Sequence, residues 1–268
     1  MINRTYPQSR LRRSRAKSYL RDLVAETKLS TDDLIQPIFI ADQSENKIEI
    51  PSMPGIYRHN LESLYIETEE LVSNGIKSIA VFPAIDPLLK NKNGSHALEE
   101  NNIVCSALKG LTEKFPEVIK IADVALDPYT DHGHDGLLID GKIDNDKTLE
   151  LLQKQGLILA QAGADILAPS DMMDGRVQAI RNTLESNGLV DIIILSYAAK
   201  YASSFYGPFR NAVGSSNTLG KGSKKTYQMN FANLDEALHE VAMDINEGAD
   251  IVMVKPGTAY LDVVHAIK

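Results

Sequence analysis

Residues 233–256 read NLDEALHEVAMDINEGADIVMVKP. The first part, NLDEALHEVAMDINE, has the spacing of an amphipathic helix. Gly248 follows it as a left-handed cap, and the short apolar run after it reads as a strand buried on both faces. Asn233, with Glu236 three residues on, reads as a capping box that opens the helix. The same layout occurs twice earlier. NLESLYIETEELVSN leads into NGIKSIAVFP (74–83), and KTLELLQKQGLILAQ leads into AGADILAPS (162–170).

Three further apolar runs read as strands: DLIQPIFI (33–40), VIKIADVAL (118–126) and DIIILSY (191–197). Strand and helix then alternate, which implies parallel pairing with right-handed crossovers. Neither GxGxxG nor GxxxxGK[ST] occurs, so nothing favours an open nucleotide-binding sheet. The expected fold is α/β, a (β/α)8 TIM barrel with catalytic groups at the carboxyl ends of its strands. Six strands are legible where eight are needed. Strands seven and eight are expected to be missing, because the sequence stops within the helical pattern YLDVVHAIK. The expected division is a basic arm over 1–30 and a barrel domain over 31–268, truncated at its carboxyl end.

Composition sets the outer limits. The chain has 268 residues, 43% hydrophobic and 24% charged. No apolar run is long enough to span a membrane. Cys105 is the only cysteine, which excludes a disulfide framework and a thiolate metal site and suits a reducing cytoplasm. Residues 1–28 carry eight Lys or Arg against two acids, a net +6, which leaves −14 for the rest of a chain whose total is −8. An acidic body repels phosphates, so nucleic acid is not an expected partner. The basic arm fits docking on the acidic surface of a neighbouring subunit.

Two lysines carry the chemistry. Lys200 follows IIILSYAA and Lys255 ends DIVMV, so each stands at the carboxyl end of a strand, and the two strands are consecutive. One such lysine reads equally well as a solvent-seeking side chain. A pair at equivalent positions points to function, because burial and a second ammonium both lower a lysine's pKa, and a neutral amine attacks ketones to form a Schiff base. Upstream, DVALDPYTDHGHDG (123–136) holds four aspartates and brings three of them, Asp123, Asp127 and Asp135, to the same mouth.

With these segments in order, DVALDPYTDHGHDG, APSDMMDGR, SYAAKYASSFYGPFR, TYQMN and MVKPG, the chain resembles the porphobilinogen synthase (5-aminolevulinate dehydratase) family, and within it the aspartate-rich, Mg-type branch. The resemblance implies a barrel with an amino-terminal arm. It also implies condensation of two 5-aminolevulinates to porphobilinogen with loss of two waters, a lyase step of tetrapyrrole and haem synthesis. Lys255 and Lys200 would each hold one substrate as a Schiff base. Arg210, Lys224 and Gln228 match the positions around the first substrate's carboxylate. Many relatives have Arg at 224, and Lys keeps the charge but not the bidentate fork. GSSNTLGKGSKK (214–225) suits a lid over the site. Asp123, Asp127 and Asp135 would orient amines and move protons. Ser170 and Asp171 match residues lining the site, although Asp171 alone reads equally well as a helix cap.

Zinc-using relatives have cysteines where this chain has Ala125, Asp127 and Asp135. Carboxylates suit hard cations, so no zinc is expected despite His132 and His134, and no organic cofactor either. Asp131 departs from the Ser or Thr common in relatives and strengthens the negative field. Glu240 matches a glutamate that helps hold an allosteric Mg2+ at a subunit boundary, and the resemblance implies a homo-octamer. Two other readings stay open at this stage. One is a class I Schiff-base aldolase, against which the paired lysines argue. The other is a truncated, non-catalytic assembly subunit.

Overall fold

The computed structural model describes residues 4–214, 219 and 222–268. Its strands are β1 (Ile35–Ala41), β2 (Lys47–Glu49), β3 (Tyr57–His59), β4 (Ser78–Ala84), β5 (Ile119–Val124), β6 (Leu137–Ile139), β7 (Lys142–Asp144), β8 (Ile166–Pro169), β9 (Ile193–Lys200) and β10 (Ile251–Lys255). Eight of them form one sheet in the order β10-β9-β8-β5-β4-β1-β3-β2, while β6 and β7 make a separate antiparallel ribbon. The six runs predicted from sequence are its long strands, all parallel and paired in chain order. The remaining two strands, the short β3 and β2 laid on the outer side of β1, were not read from the sequence. Among the described residues the sheet ends at β10 on one side and β2 on the other, so closure is not seen.

Helices α1 (Ser18–Leu23), α2 (Leu61–Ser73), α3 (Ile103–Lys114), α4 (Asn145–Gln161), α5 (Arg176–Ser186), α6 (Gly207–Ala212), α7 (Asp235–Asn246) and α8 (Leu261–Ile267) fill the connections and the termini. Alternate strand residues serve two cores, as a pleat requires. Ile38, Ile40, Ile79, Val81, Ala122 and Val124 pack towards the helices. Phe39, Ala80, Phe82, Ile121 and Tyr197 form the opposite, inner cluster. The inner cluster includes Tyr197, whose ring lies beneath both lysine amino groups.

The three glycines that end the repeated helices behave as read. Gly75, Gly163 and Gly248 have φ of 84°, 108° and 104°. At Gly163 a Cβ would also lie 2.4 Å from Thr112 Oγ1. The capping box does not form. α7 begins at Asp235 with Leu234 at the N-cap and no side-chain cap, and Asn233 Nδ2 instead donates to the Glu236 carboxylate at 2.6 Å. Real caps occur elsewhere. Asn102, buried at 2% exposure, accepts from the backbone N–H groups of Val104 and Cys105 at the start of α3. Asn102→Ala is therefore expected to lower unfolding stability by about 1–2 kcal/mol, measured by urea denaturation, with no change in spectroscopic helix content.

Residues 4–34 contribute no buried side chain, and Leu11, Tyr19 and Leu23 on the arm are exposed. No helix among the described residues is long and apolar enough to cross a membrane.

Candidate active site

Strand register makes the lysine pair. In the β9–β10 ladder Lys200 stands opposite Lys255, both as the last residues of their strands. Their amino groups share one aromatic surface: Lys255 Nζ lies 4.7 Å, and Lys200 Nζ 5.6 Å, from the Tyr197 ring centroid. Phe209 and Tyr206 close over Lys255 at 4.7 and 5.9 Å. Phe209 is itself set by edge-on contact with Phe82, centroids 5.1 Å apart, and by Phe39 at 5.7 Å. Burial in this apolar cage, reinforced by the charge of Lys200, lowers the Lys255 pKa to about 8. Rings stabilise a cation over their faces but hydrate it poorly, so the cage suits a charge that comes and goes.

The aspartates arrive from β5 and the loop after it. Asp123 is enclosed, and burial together with the neighbouring Asp127 pushes its carboxyl up to about 6. Asp127 and Asp135 share one partner: Lys224 Nζ lies 3.0 Å from Asp127 Oδ2 and 2.7 Å from Asp135 Oδ2. Burial opposes the Lys224 charge, yet the two carboxylates raise its pKa above the ordinary lysine value. Asp135 is caught between the same effects. Burial would raise it, but Lys224, Lys200 and the Tyr227 hydroxyl, which donates at 2.8 Å, hold it below the usual range. Lys200 Nζ donates to the Ser170 carbonyl and stands 3.8 Å from Asp135.

Nine of the eleven residues singled out from sequence therefore meet. Asp123, Asp127, Ser170, Lys200, Arg210, Lys224, Gln228 and Lys255 line one cleft, and Asp135 is bonded into it from behind. Lys224 differs from expectation: its ammonium sits between two aspartates rather than standing clear for a substrate carboxylate. Half of the expected lid over 214–225, residues 215–218, 220 and 221, lies outside the described residues. Asp171 does not line the cleft. It is fully buried beneath it, accepts from Met173 N at 2.7 Å, and lies 3.8 Å from Arg176 Nε, with burial pushing its carboxyl up to about 7. Nor does it cap α5, whose N-cap is Gly175. Glu240, half-buried on α7, lines a separate and wider cleft with Glu236, Asp174 and Asn145.

Two features were missed from sequence. The aromatic cage was hidden in plain view within SYAAKYASSFYGPFR, where only the lysine and arginine drew notice. The second is Arg176, the first residue of α5, which is 2% exposed. Its guanidinium donates to both Asp244 oxygens at 3.3 and 3.1 Å, to Ser196 Oγ at 3.0 Å and to the carbonyls of Met173 and Tyr197. It thus ties α5 and α7 to β9 at Ser196 and Tyr197, on the strand that ends in Lys200.

The donor set bears on metal binding. A divalent cation between Asp127 and Asp135 would compete with an ammonium already within 3.0 Å of both, so the site as arranged does not fit one. His132 Nε2 is 3.2 Å from the Lys92 carbonyl and His134 Nδ1 is 3.0 Å from the Tyr227 hydroxyl, so these nitrogens are engaged within the protein. Among the described residues no three His, Cys, Asp or Glu side chains cluster closely enough to hold a metal ion directly.

Comparison with known proteins gives a consistent result. The family profile described as Delta-aminolevulinic acid dehydratase matches residues 8–268. The Delta-aminolevulinic acid dehydratase of Bradyrhizobium diazoefficiens is 53% identical over 259 residues, covering 97% of this chain and 73% of its own length. That of Rhodobacter capsulatus is 51% identical over 268 residues, covering 100% and 80%. The crystal structure of delta-aminolevulinic acid dehydratase (porphobilinogen synthase) from Toxoplasma gondii, in complex with the reaction product porphobilinogen, is similar at a TM-score of 0.94 and 48% identity, covering 97% of this chain and 74% of that one.

Proposed function

This chain belongs to the delta-aminolevulinic acid dehydratase family, and from that premise we propose how its own residues make porphobilinogen from two 5-aminolevulinates. The overall reaction is a lyase step of tetrapyrrole synthesis. The observation that carries the mechanism is the lysine pair at the ends of β9 and β10, sharing the Tyr197 surface and flanked by carboxyl groups.

Lys255 is the first nucleophile. With a pKa of about 8, roughly one amine in ten is neutral at pH 7, against about one in three thousand for an ordinary lysine. The neutral amine adds to the substrate ketone, and the carbinolamine then loses water to give an iminium. Its positive charge forms over Tyr197 and Phe209. Asp123, raised to about 6, is partly protonated near neutrality and serves as the proton donor to the departing hydroxyl. Lys200 binds the second substrate in the same way, with the Asp135 carboxylate 3.8 Å away to stabilise the iminium charge. Deprotonation next to one substrate's imine gives an enamine carbon that bonds to the second substrate's imine carbon, and the second substrate's amine bonds to the first substrate's imine carbon to close the ring. Each new bond is matched by expulsion of a lysine amine, the ring loses a proton to become the pyrrole, and the two waters are those lost in forming the two imines.

Arg210, Lys224 and Gln228 receive the first substrate's carboxylate at the cleft mouth. For Lys224 this means an exchange of partners. An incoming carboxylate competes with Asp127 and Asp135 for the ammonium and so frees those aspartates for proton transfer.

The test is borohydride reduction in the presence of 5-aminolevulinate, followed by peptide mapping. Adducts are expected on Lys255 and Lys200, together with a pyrrole product at half the substrate consumed. A single adduct with no pyrrole would favour an aldolase. Trapping at Lys255 needs the unprotonated amine, so its rate should rise about tenfold per pH unit below about 8 and level off above it. A flat profile between pH 6 and 8 would overturn the role given to this lysine.

The remaining assignments concern assembly. Glu240 would be the carboxylate for an allosteric Mg2+ held through waters, a ligand set that suits magnesium; among the described residues no three-ligand cluster accompanies it. The basic arm, with no buried side chain among its described residues, docks on the acidic surface of a neighbouring subunit in a homo-octamer. Glu240→Gln should therefore lose Mg2+-dependent octamer formation in sedimentation velocity while retaining trapping at Lys255. An octamer unaffected by Mg2+, chelator and this substitution would refute the assignment.

A further inference from the structure

The short strand β3, which the sequence did not announce, carries a side chain that reaches the active site by an indirect route. Arg58 pairs with Phe39 of β1 at the outer side of the sheet. Its guanidinium extends to the end of α6, where Nε donates to the Ala212 carbonyl at 2.7 Å and Nη2 to the Asn211 carbonyl at 2.5 Å. These are the last carbonyls of the helix, at its negative dipole end, and of the two the Asn211 carbonyl also accepts from Gly214 N at 3.3 Å. A planar fork bearing a fixed charge suits two adjacent carbonyls in a way that a lysine does not. Ser52 Oγ adds a 3.4 Å bond to the Pro208 carbonyl near the other end of α6.

α6 is only six residues long and too short to hold its shape alone. It nevertheless presents Phe209 to the Lys255 amino group and Arg210 to the cleft mouth. We propose that Arg58 is a positioning residue for the condensation: by holding the carboxyl end of α6 it sets Phe209 over Lys255 and Arg210 at the substrate carboxylate. The inference rests on the lysine–imine reading above and adds a residue that touches neither substrate nor either lysine. Releasing α6 would let water reach the Lys255 ammonium and would loosen the carboxylate clamp, so chemistry and binding should suffer together. A misplacement of about 1 Å at a reacting group is worth on the order of a hundredfold.

The test uses the full chain and three variants, Arg58→Met, Arg58→Lys and Arg58→Ala. For Arg58→Met, kcat/KM for 5-aminolevulinate is expected to fall between about tenfold and a hundredfold. The pH midpoint for labelling Lys255 with trinitrobenzenesulfonate should move upward, as the amine becomes better hydrated. Arg58→Lys should recover only part of the loss. Millimolar guanidinium, well below denaturing concentration, should raise the activity of Arg58→Ala and leave the parent unchanged. If Arg58→Met keeps the parental kcat/KM and labelling midpoint, the proposal is overturned. It is equally overturned if the loss merely tracks the unfolded fraction seen by circular dichroism, with parental activity per folded molecule. The labelling needs no 5-aminolevulinate, so it reads Arg58 separately from the function. A parent chain that forms no borohydride-trapped adduct would instead sink the functional reading.

Discussion

Lys255→Met is expected to abolish porphobilinogen formation and at the same time make the protein more stable. Loss of the nucleophile should lower turnover on the order of 10⁴-fold or more. The gain in stability follows from the depressed pKa. Below about pH 8 this lysine is protonated in both folded and unfolded chains, and the folded state bears the full penalty of an ammonium crowded by burial and Lys200. Above the ordinary value of 10.5 it is neutral in both, and no penalty remains. In between, the unfolded chain binds more protons, so wild-type stability rises with pH. A shift of this size corresponds to about 3 kcal/mol at most, and relaxation around the site brings the expected gain at pH 7 to about 2 kcal/mol. Methionine retains the volume and the apolar contacts of the stem. Urea midpoints at pH 7 and pH 10 test this: the variant should lead at pH 7, and the difference should narrow at pH 10. A variant less stable than wild type at pH 7 would show that the lysine is not under electrostatic strain.

The opposite outcome is expected for Arg176→Met. Arg176 is the cation for Asp244, with both oxygens within 3.3 Å, and it also reaches Ser196, Tyr197 and Met173 in an enclosed space. Removing it leaves Asp244 buried with only the Ser196 hydroxyl, and Asp171 without its nearest positive charge. Breaking one side of a buried ion pair costs about 3–5 kcal/mol, a large fraction of the stability of a domain. Replacing both partners, as in Arg176→Met with Asp244→Leu, should recover much of that loss, because an apolar pair leaves no charge stranded. Chemical denaturation of the three proteins measures it. A single variant that loses under 1 kcal/mol, or a double variant worse than the single, would contradict the network's assigned weight.

The parallel strands could be read because each is a run of apolar residues framed by a helix and a glycine, a pattern set by burial on two faces. Lys200 and Lys255 were readable for a related reason: charge at the end of such a run has few structural explanations. β2 and β3 were not, since KIE and YRH carry no periodic signal and exist only because β1 offers them an edge. Lys224 was expected to face substrate, and nothing in KGSKKTYQ says that two aspartates some ninety residues earlier, at 127 and 135, would enclose it. Asp171 was misread and Arg176 passed over because sequence shows a residue's type but not its depth. The misplaced start of α7 has a local cause: Asn233 bonds Glu236 side chain to side chain, so the reciprocal backbone bonds of a capping box never form.

The order in which the long strands pair has one more implication. Each of β4, β5, β8, β9 and β10 lies beside the one made just before it. A nascent polypeptide leaving the ribosome can therefore add one stave at a time to a seam that already exists, with little need to wait for distant segments. β10 is the last of these to emerge. The crowding of two ammonium groups is thus imposed only after the five earlier long strands have a seam on which to pair, and that seam bears the load.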